Sequence, residues 1–452
     1  MSVFQFLEQN QKAKSICGIL EDKGYKAYAV GGCVRDSIMG ICPHDIDITT
    51  SAPPEEVKRI FEGKGYTVAE TGIKHGTVTV IDDHEPFEIT TMRVDGAYFD
   101  RRRPDTVCYV KDIESDLSRR DFTVNAIAYS FSENSITDVF GGTDDVKNGI
   151  IRCVGDPDQR FDEDALRILR AVRFASKLGF AIEEKTKASM LQKKGNLREI
   201  SPERIYKEFC EILCAKNAGD VIYEYADIIS VFIPEISECK GFEQHSKYHI
   251  YDVLRHICMA IDSTPPVLHL RLTAFFHDIG KPQTFSIDSE GEGHFYSHAQ
   301  KSAEICERVL RELRADKKTK EKVVFLVKHH DTPLPCERSA VKKRINKIGN
   351  EHFFDLITIC EADCKAQAPS VCYRLTMLDD IRRTARSIID EGECLSISTL
   401  AVNGDDIILL GVKEGKRVGE ILRALLDAVL AGEVQNDRKS LIDKAEQMIS
   451  DQ

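Results

Sequence analysis

The chain has 452 residues, 42% of them hydrophobic and 30% charged, the balance of a folded globular protein and not of a disordered one. Its 62 Lys and Arg stand against 74 Asp and Glu, a formal net charge of -12; this excludes a histone-like coating of nucleic acid but not a local basic patch. No run of about 18 apolar residues occurs, so no membrane span is expected. The opening MSVFQFLEQNQKAK lacks a basic segment followed by an apolar core, so no secretory signal is expected. The fifteen scattered cysteines include no Cys-x-x-Cys pair and fit reduced thiols of a cytoplasmic protein.

In chain order, the first 145 residues show short β-rich runs at 25–32, 45–51, 65–72, 76–82 and 85–93, bounded by Gly, Pro and Asp as strands between turns. A helix is predicted over 119–131, then a strand and turn over 136–142. From about residue 160 the pattern is helical almost throughout. In 162–180, Leu166, Leu169, Val172 or Phe174, and Leu178 recur near a 3.6 period. The architecture expected is α+β: a small sheet-containing domain followed by a long helical body.

Two clusters carry chemistry. In the first, Asp45 and Asp47 sit at i and i+2 of a predicted strand, so both carboxylates share one face and can hold Mg²⁺. Glu88, in the strand 85–93, is a third candidate ligand. Upstream, Gly31-Gly32-Cys33-Val34-Arg35-Asp36 reads as a strand, a glycine turn and a helix. There backbone N–H groups and Arg35 can approach a phosphate. Either piece alone is commonplace; together they suit a metal-bound triphosphate.

GGCVRD (31–36), DIDIT (45–49), RRDFTVNA (119–126) and RFDEDALRILRAVRF (160–174) together resemble the class II tRNA nucleotidyltransferases, the CCA-adding enzymes, which share a superfamily with bacterial poly(A) polymerases. HGTVTVI (75–81) and 90–107 also look like the CCA-adding branch. The resemblance implies a small polymerase-beta-like nucleotidyltransferase head followed by all-helical neck, body and tail. It implies that Asp45 and Asp47 are catalytic Mg²⁺ ligands, that Gly32 and Arg35 contact the triphosphate, and that Arg120 and Asp121 grip the nucleotide. The expected partners are tRNA, CTP and ATP, with no membrane; no feature of the sequence sets an oligomeric state.

Asp164 and Arg167 are three apart on the predicted helix 162–180, so both can face one base. Ionised Asp164 only accepts hydrogen bonds and Arg167 only donates. Cytosine and adenine offer an amine donor beside a ring-nitrogen acceptor, whereas uracil and guanine reverse that order. Arg170 and Arg173 extend the same helix toward phosphate or base. Residues 165–207 carry eleven Lys and Arg against four Glu, +7, a charge that suits a polyanion.

The second cluster comprises His256, the pair His277-Asp278, His298, the pair His329-His330, and Asp363; His298 and His329 fit as the additional histidines. Imidazole and carboxylate from separate helices can build a hydrolytic divalent-metal site, and the stretch resembles the HD phosphohydrolase superfamily. The domains expected are a head at 1–148, a neck and body at 149–240 that selects the nucleotide and binds RNA, an HD-type domain at 241–366 and a tRNA-binding tail at 367–452. The alternatives are a poly(A) polymerase or a partial CC- or A-adding enzyme, and an HD phosphohydrolase whose head recruits RNA.

Overall fold

The protein is described by a computed structural model covering residues 4–73, 76–95 and 107–450. His75 and residues 96–106, which carry part of the family resemblance, lie outside the described residues. The chain divides into two compact units, Met1–Pro234 and Glu235–Gln452.

The first unit is built on strands β1 (Ala27–Val30), β2 (Ile48–Thr50), β3 (Thr67–Gly72), β4 (Thr77–Asp82) and β5 (Glu85–Thr91), the short pair β6 (Arg93–Asp95) and β7 (Val107–Tyr109), then β8 (Ala128–Ser130) and β9 (Ser135–Thr137). Seven of them form one sheet in the order β3-β4-β5-β2-β1-β8-β9. The β2–β5 pairing is parallel and its neighbours are antiparallel. In β5, Phe87, Ile89 and Thr91 are buried while Glu85 and Glu88 are exposed. The two-residue period of a strand therefore sends Glu88 away from the core. Helices Gln11–Glu21 and Pro54–Glu62 pack on this sheet, burying Ile16, Leu20, Val57 and Phe61.

Three predicted elements differ from those observed. β2 begins only at Ile48, leaving Asp45 in a bend. The stretch 119–131 is not a helix: Thr123–Asn125 forms one 3-10 turn, and Ala128–Ser130 is β8, paired with β1 through Ala29↔Tyr129 and Val30↔Ala128. Every residue from Asp121 to Phe131 is buried, so no polar face marks its period, and sheet pairing decides its conformation. The helix expected over 162–180 is broken into Pro157–Glu163 and Leu166–Leu178. Between them Asp164 is extended, φ -146°, and its Oδ1 accepts the Leu166 N–H at 3.0 Å. A carboxylate that satisfies the open N–H groups of a helix start favours such a break.

In the second unit, helices Val253–Asp262, Leu268–Phe276, His298–Glu312, Lys317–His329 and Asn350–Lys365 pack mutually. A separate core joins Ile407, Ile421, Leu425, Leu430 and Leu441 near the carboxyl end. Among the described residues no helix is long and apolar enough to cross a membrane. All fifteen cysteines are free thiols.

Candidate functional site

The first site lies where β1 ends and β2 begins. Val30 donates its N–H to the Asp47 carbonyl at 3.0 Å, placing Asp47 beside the turn that starts helix Gly32–Ile38. Because Ile48 pairs with Ile89, Asp47 and Glu88 stand one step back on adjacent strands. Crowding by protein atoms raises the Asp47 pKa, the charges of Glu88 and Asp45 raise it further, and Arg120 opposes them. Asp47 stays open to solvent, as does Asp45, whose side chain is 84% exposed. Glu88 and Asp45 thus add negative charge beside Asp47, a field that favours a cation.

Gly31 has φ 82°, a region costly for any side chain, and a Cβ there would meet Arg120 Nη1 at 3.2 Å. Arg120 thus lies against the glycine turn. It is anchored by Asp116 at 3.2 Å, a fully buried carboxylate that also binds Arg119 Nε at 2.9 Å and the Arg93 N–H at 3.2 Å. The Nε of Arg120 is buried without a hydrogen-bond partner among the described residues. Arg35 is buried and already engaged, donating to Asn125 Oδ1 at 2.6 Å and to Asp36 Oδ1 at 2.7 and 2.9 Å.

Asp121 is an internal anchor. It is buried and accepts from Arg170 Nε at 2.7 Å and from the Phe122 N–H at 2.9 Å. Burial alone would raise its pKa, but the Arg170 charge and hydrogen bond, helped by Arg167 and Asn125, hold it at about 2. Relative to an unfolded carboxyl near 3.9, this contributes about 2–3 kcal/mol above ~pH 4, lost as pH falls through the folded pKa. Asp121→Asn is expected to remove that part of the acid-unfolding slope, measured by urea titrations between neutral pH and about pH 2.

Asp164 Oδ2 accepts from Arg204 Nη2 at 2.8 Å, while Arg167 donates to Glu163 Oε2 at 2.5 Å and the Arg160 carbonyl at 3.2 Å. The two therefore flank a helix start, each with its own partner, instead of sharing one helix face. Arg173 pairs with Glu208 at 2.7 Å and lies over the Phe174 ring, 4.5 Å from its centroid. The +7 stretch is largely neutralised within the unit. Of its eleven cations, seven (Arg167, Arg170, Arg173, Lys185, Lys187, Lys193 and Arg204) hold ion pairs with acidic residues.

The second centre gathers His256, His277, Asp278 and Asp363, and around the other oxygen of Asp278, His298 and His330. Asp278 Oδ2 lies 3.0 Å from His256 Nε2, 3.3 Å from His277 Nε2 and 2.7 Å from Lys281 Nζ. Its Oδ1 lies 3.4 Å from His298 Nε2 and 3.6 Å from His330 Nε2. In each of the four histidines Nδ1 faces a backbone carbonyl: Ala366, Ala274, Phe295 and Val327, at 2.7–3.2 Å. A carbonyl only accepts, so every Nδ1 carries a proton and every Nε2 is turned into the cluster, the arrangement that orients imidazole for a metal. Burial lowers the His256 pKa, but hydrogen bonds to Asp278 and Asp363 raise it to about 9; positive charge is favoured there.

One expectation is corrected: the histidine that joins His298 at Asp278 is His330, not His329, whose ring packs on Phe325. The signal was present, since buried Val323, Leu326 and Val327 put position 330 on the same helical stripe. Gln367, also missed, donates to both Asp363 oxygens at 3.0 and 3.1 Å; the i,i+4 spacing of the two residues was the available signal. Arg204 and Asn125 were missed because their partners are distant in sequence.

Residues 27–152 match the family model of the Poly A polymerase head domain, 179–239 that of an RNA and SrmB-binding site of polymerase A, and 294–445 that of tRNA nucleotidyltransferase domain 2. The CCA-adding enzyme of Limosilactobacillus fermentum is 33% identical over 442 residues, 97% of each chain. That of Lactobacillus helveticus is 51% identical over 234 residues, 52% of this chain and 57% of the relative. The CCA-adding enzyme of Bacillus stearothermophilus, solved in complex with CTP, matches 98% of both chains at 28% identity and TM-score 0.73. Head fold and matches together define a nucleotidyltransferase. The chain belongs to the CCA-adding enzyme family, the class II tRNA nucleotidyltransferases.

Proposed function

We propose that this chain adds C, C and A to tRNA 3′ ends from CTP and ATP without a nucleic-acid template. The observation that carries the proposal is the grouping of Asp47 with Asp45 and Glu88, and the Gly31–Arg120 turn, in a chain of this family. Hard carboxylate oxygens in excess negative charge fit Mg²⁺. Asp45 and Asp47 would hold it, with Glu88 as third ligand, and bound Mg²⁺ supplies Lewis-acid activation of the attacking hydroxyl and the pyrophosphate leaving group. The Gly31-Gly32 turn, backed by Arg35 and faced by Arg120, is assigned the triphosphate. Arg170 and Asp121 brace the segment that carries it. Lys177, Lys194, Arg198 and Lys207, which lie outside the internal ion pairs named above, are the cations assigned to RNA.

Base choice is assigned to Asp164 and Arg167, each exchanging its present partner, Arg204 or Glu163, for the edge of cytosine or adenine. A uracil or guanine would leave buried groups unpaired at about 1–3 kcal/mol each. Incorporation of labelled CTP and ATP into tRNA lacking its CCA end tests the proposal. No incorporation refutes it, and growth of an ATP-only polymer would point to a poly(A) polymerase. Asp164→Ala is expected to cut discrimination against UTP and GTP roughly tenfold or more while changing triphosphate affinity less.

A second activity is favoured by the histidine centre. Four imidazoles locked with Nε2 inward and a carboxylate facing both groups would hold divalent cations, which would supply an activated water for phosphoester hydrolysis. His256, His277 and Asp363 would complete one ligand set, and His298 and His330 the other.

A further inference from the structure

Beside the histidine centre lies a cavity of about 680 Å³, a size that holds one small ligand. Asp278, His298, His330 and Asp363 line it, as do the aromatic residues His294 and Tyr296. Tyr296 is 73% exposed, yet its ring stacks on His294 with centroids 5.4 Å apart and planes inclined by 15°.

This pair is held in place from several sides. His294 belongs to a short ladder in which Ser286 pairs with His294 and Ile287 with Gly293. Gly293 donates its N–H to the His245 carbonyl at 2.8 Å, and a Cβ there would stand 2.4 Å from the Gln244 carbonyl oxygen. His294 Nε2 is 2.8 Å from Asp288 Oδ2. Immediately after Tyr296, Ser297 adopts φ 63°, a conformation uncommon outside glycine, and leads directly into His298. The ladder and the tight glycine contact thus fix a large ring next to a centre built for phosphoester chemistry. Pre-fixed rings of this kind lower the ordering cost of a stacked ligand.

We propose that Tyr296, backed by His294, is a stacking platform for a nucleobase, so that the histidine centre takes a nucleoside phosphoester. The proposal rests on the hydrolytic assignment made above. Arg374, which also lines the cavity, supplies a guanidinium for the phosphate. Every base has a π-face, so such a platform selects for the presence of a base more than for its identity. A free mononucleotide and the terminal nucleotide of an RNA chain present the same chemistry.

The chain contains no Trp, so Tyr296→Trp places a sole indole fluorophore on the platform. With the Mn²⁺-loaded protein, AMP is expected to quench this fluorescence and ribose 5-phosphate is not. The kcat/KM preference for AMP over ribose 5-phosphate should fall about tenfold or more in Tyr296→Ala. Quenching by AMP supports a free nucleotide as the source; quenching only by a 5′-phosphorylated oligoribonucleotide supports an RNA end. Mn²⁺ binding without quenching by either, and with no preference for AMP, overturns the platform and leaves the hydrolytic centre standing. Failure to bind Mn²⁺ overturns both.

Discussion

Asp45→Ala and Asp47→Ala are each expected to abolish nucleotide addition. Metal clamping of a phosphoryl transfer is worth several kcal/mol, so the loss should reach about 10³-fold or more in kcat. Folding should be spared. Crowding by protein atoms and the neighbouring charges of Glu88 and Asp45 already disfavour ionised Asp47, so a neutral residue relieves a repulsion and Tm should hold or rise. The measurement is incorporation of labelled CTP alongside thermal unfolding and phosphoester hydrolysis. Loss of incorporation with Tm and hydrolysis intact supports a dedicated site. Loss of both activities together would contradict two independent sites.

The second large effect concerns Asp278, which contacts both groups of histidines through different oxygens. Asp278→Ala is expected to empty both cation positions and end hydrolysis, whereas His298→Ala should weaken the position it shares with His330 and spare the other. Dialysis against Mn²⁺ followed by metal analysis distinguishes the two variants. Asp278 is also the buried partner of Lys281, and stranding that ammonium costs about 3–5 kcal/mol. Asp278→Asn keeps the shape and much of the hydrogen bonding, so metal loss in this variant at near-normal Tm separates ligation from folding. Retention of both ions in Asp278→Asn would remove Asp278 as a ligand.

The motifs whose chemistry is local were readable. The glycine turn needs only a positive φ at Gly31 and a helix behind it, and both are present. The pairs Asp45/Asp47 and His277-Asp278 are neighbours along the chain, so their proximity needs no fold. Strands at 65–72, 76–82 and 85–93 followed from β-rich composition and turn residues, and appear as β3, β4 and β5. Residues 119–131 were misread because a segment buried on every side shows neither helical nor strand period.

Length, composition, the motif order and the candidate acidic and histidine residues, apart from the choice between His329 and His330, were thus set by the sequence alone, because each depends on residue type and short spacing. Which charges meet was decided only by the tertiary structure. Arg170 finds Asp121 across 49 positions and Arg204 finds Asp164 across 40; these pairings turn an apparently basic stretch into a mostly neutralised interior. His330 displaces His329 because helix packing, not sequence adjacency, chooses which of two neighbouring imidazoles faces Asp278. The physical reason is common to all three cases. A buried charge must find its counter-charge through space, and the fold sets which distant residue stands within hydrogen-bond reach.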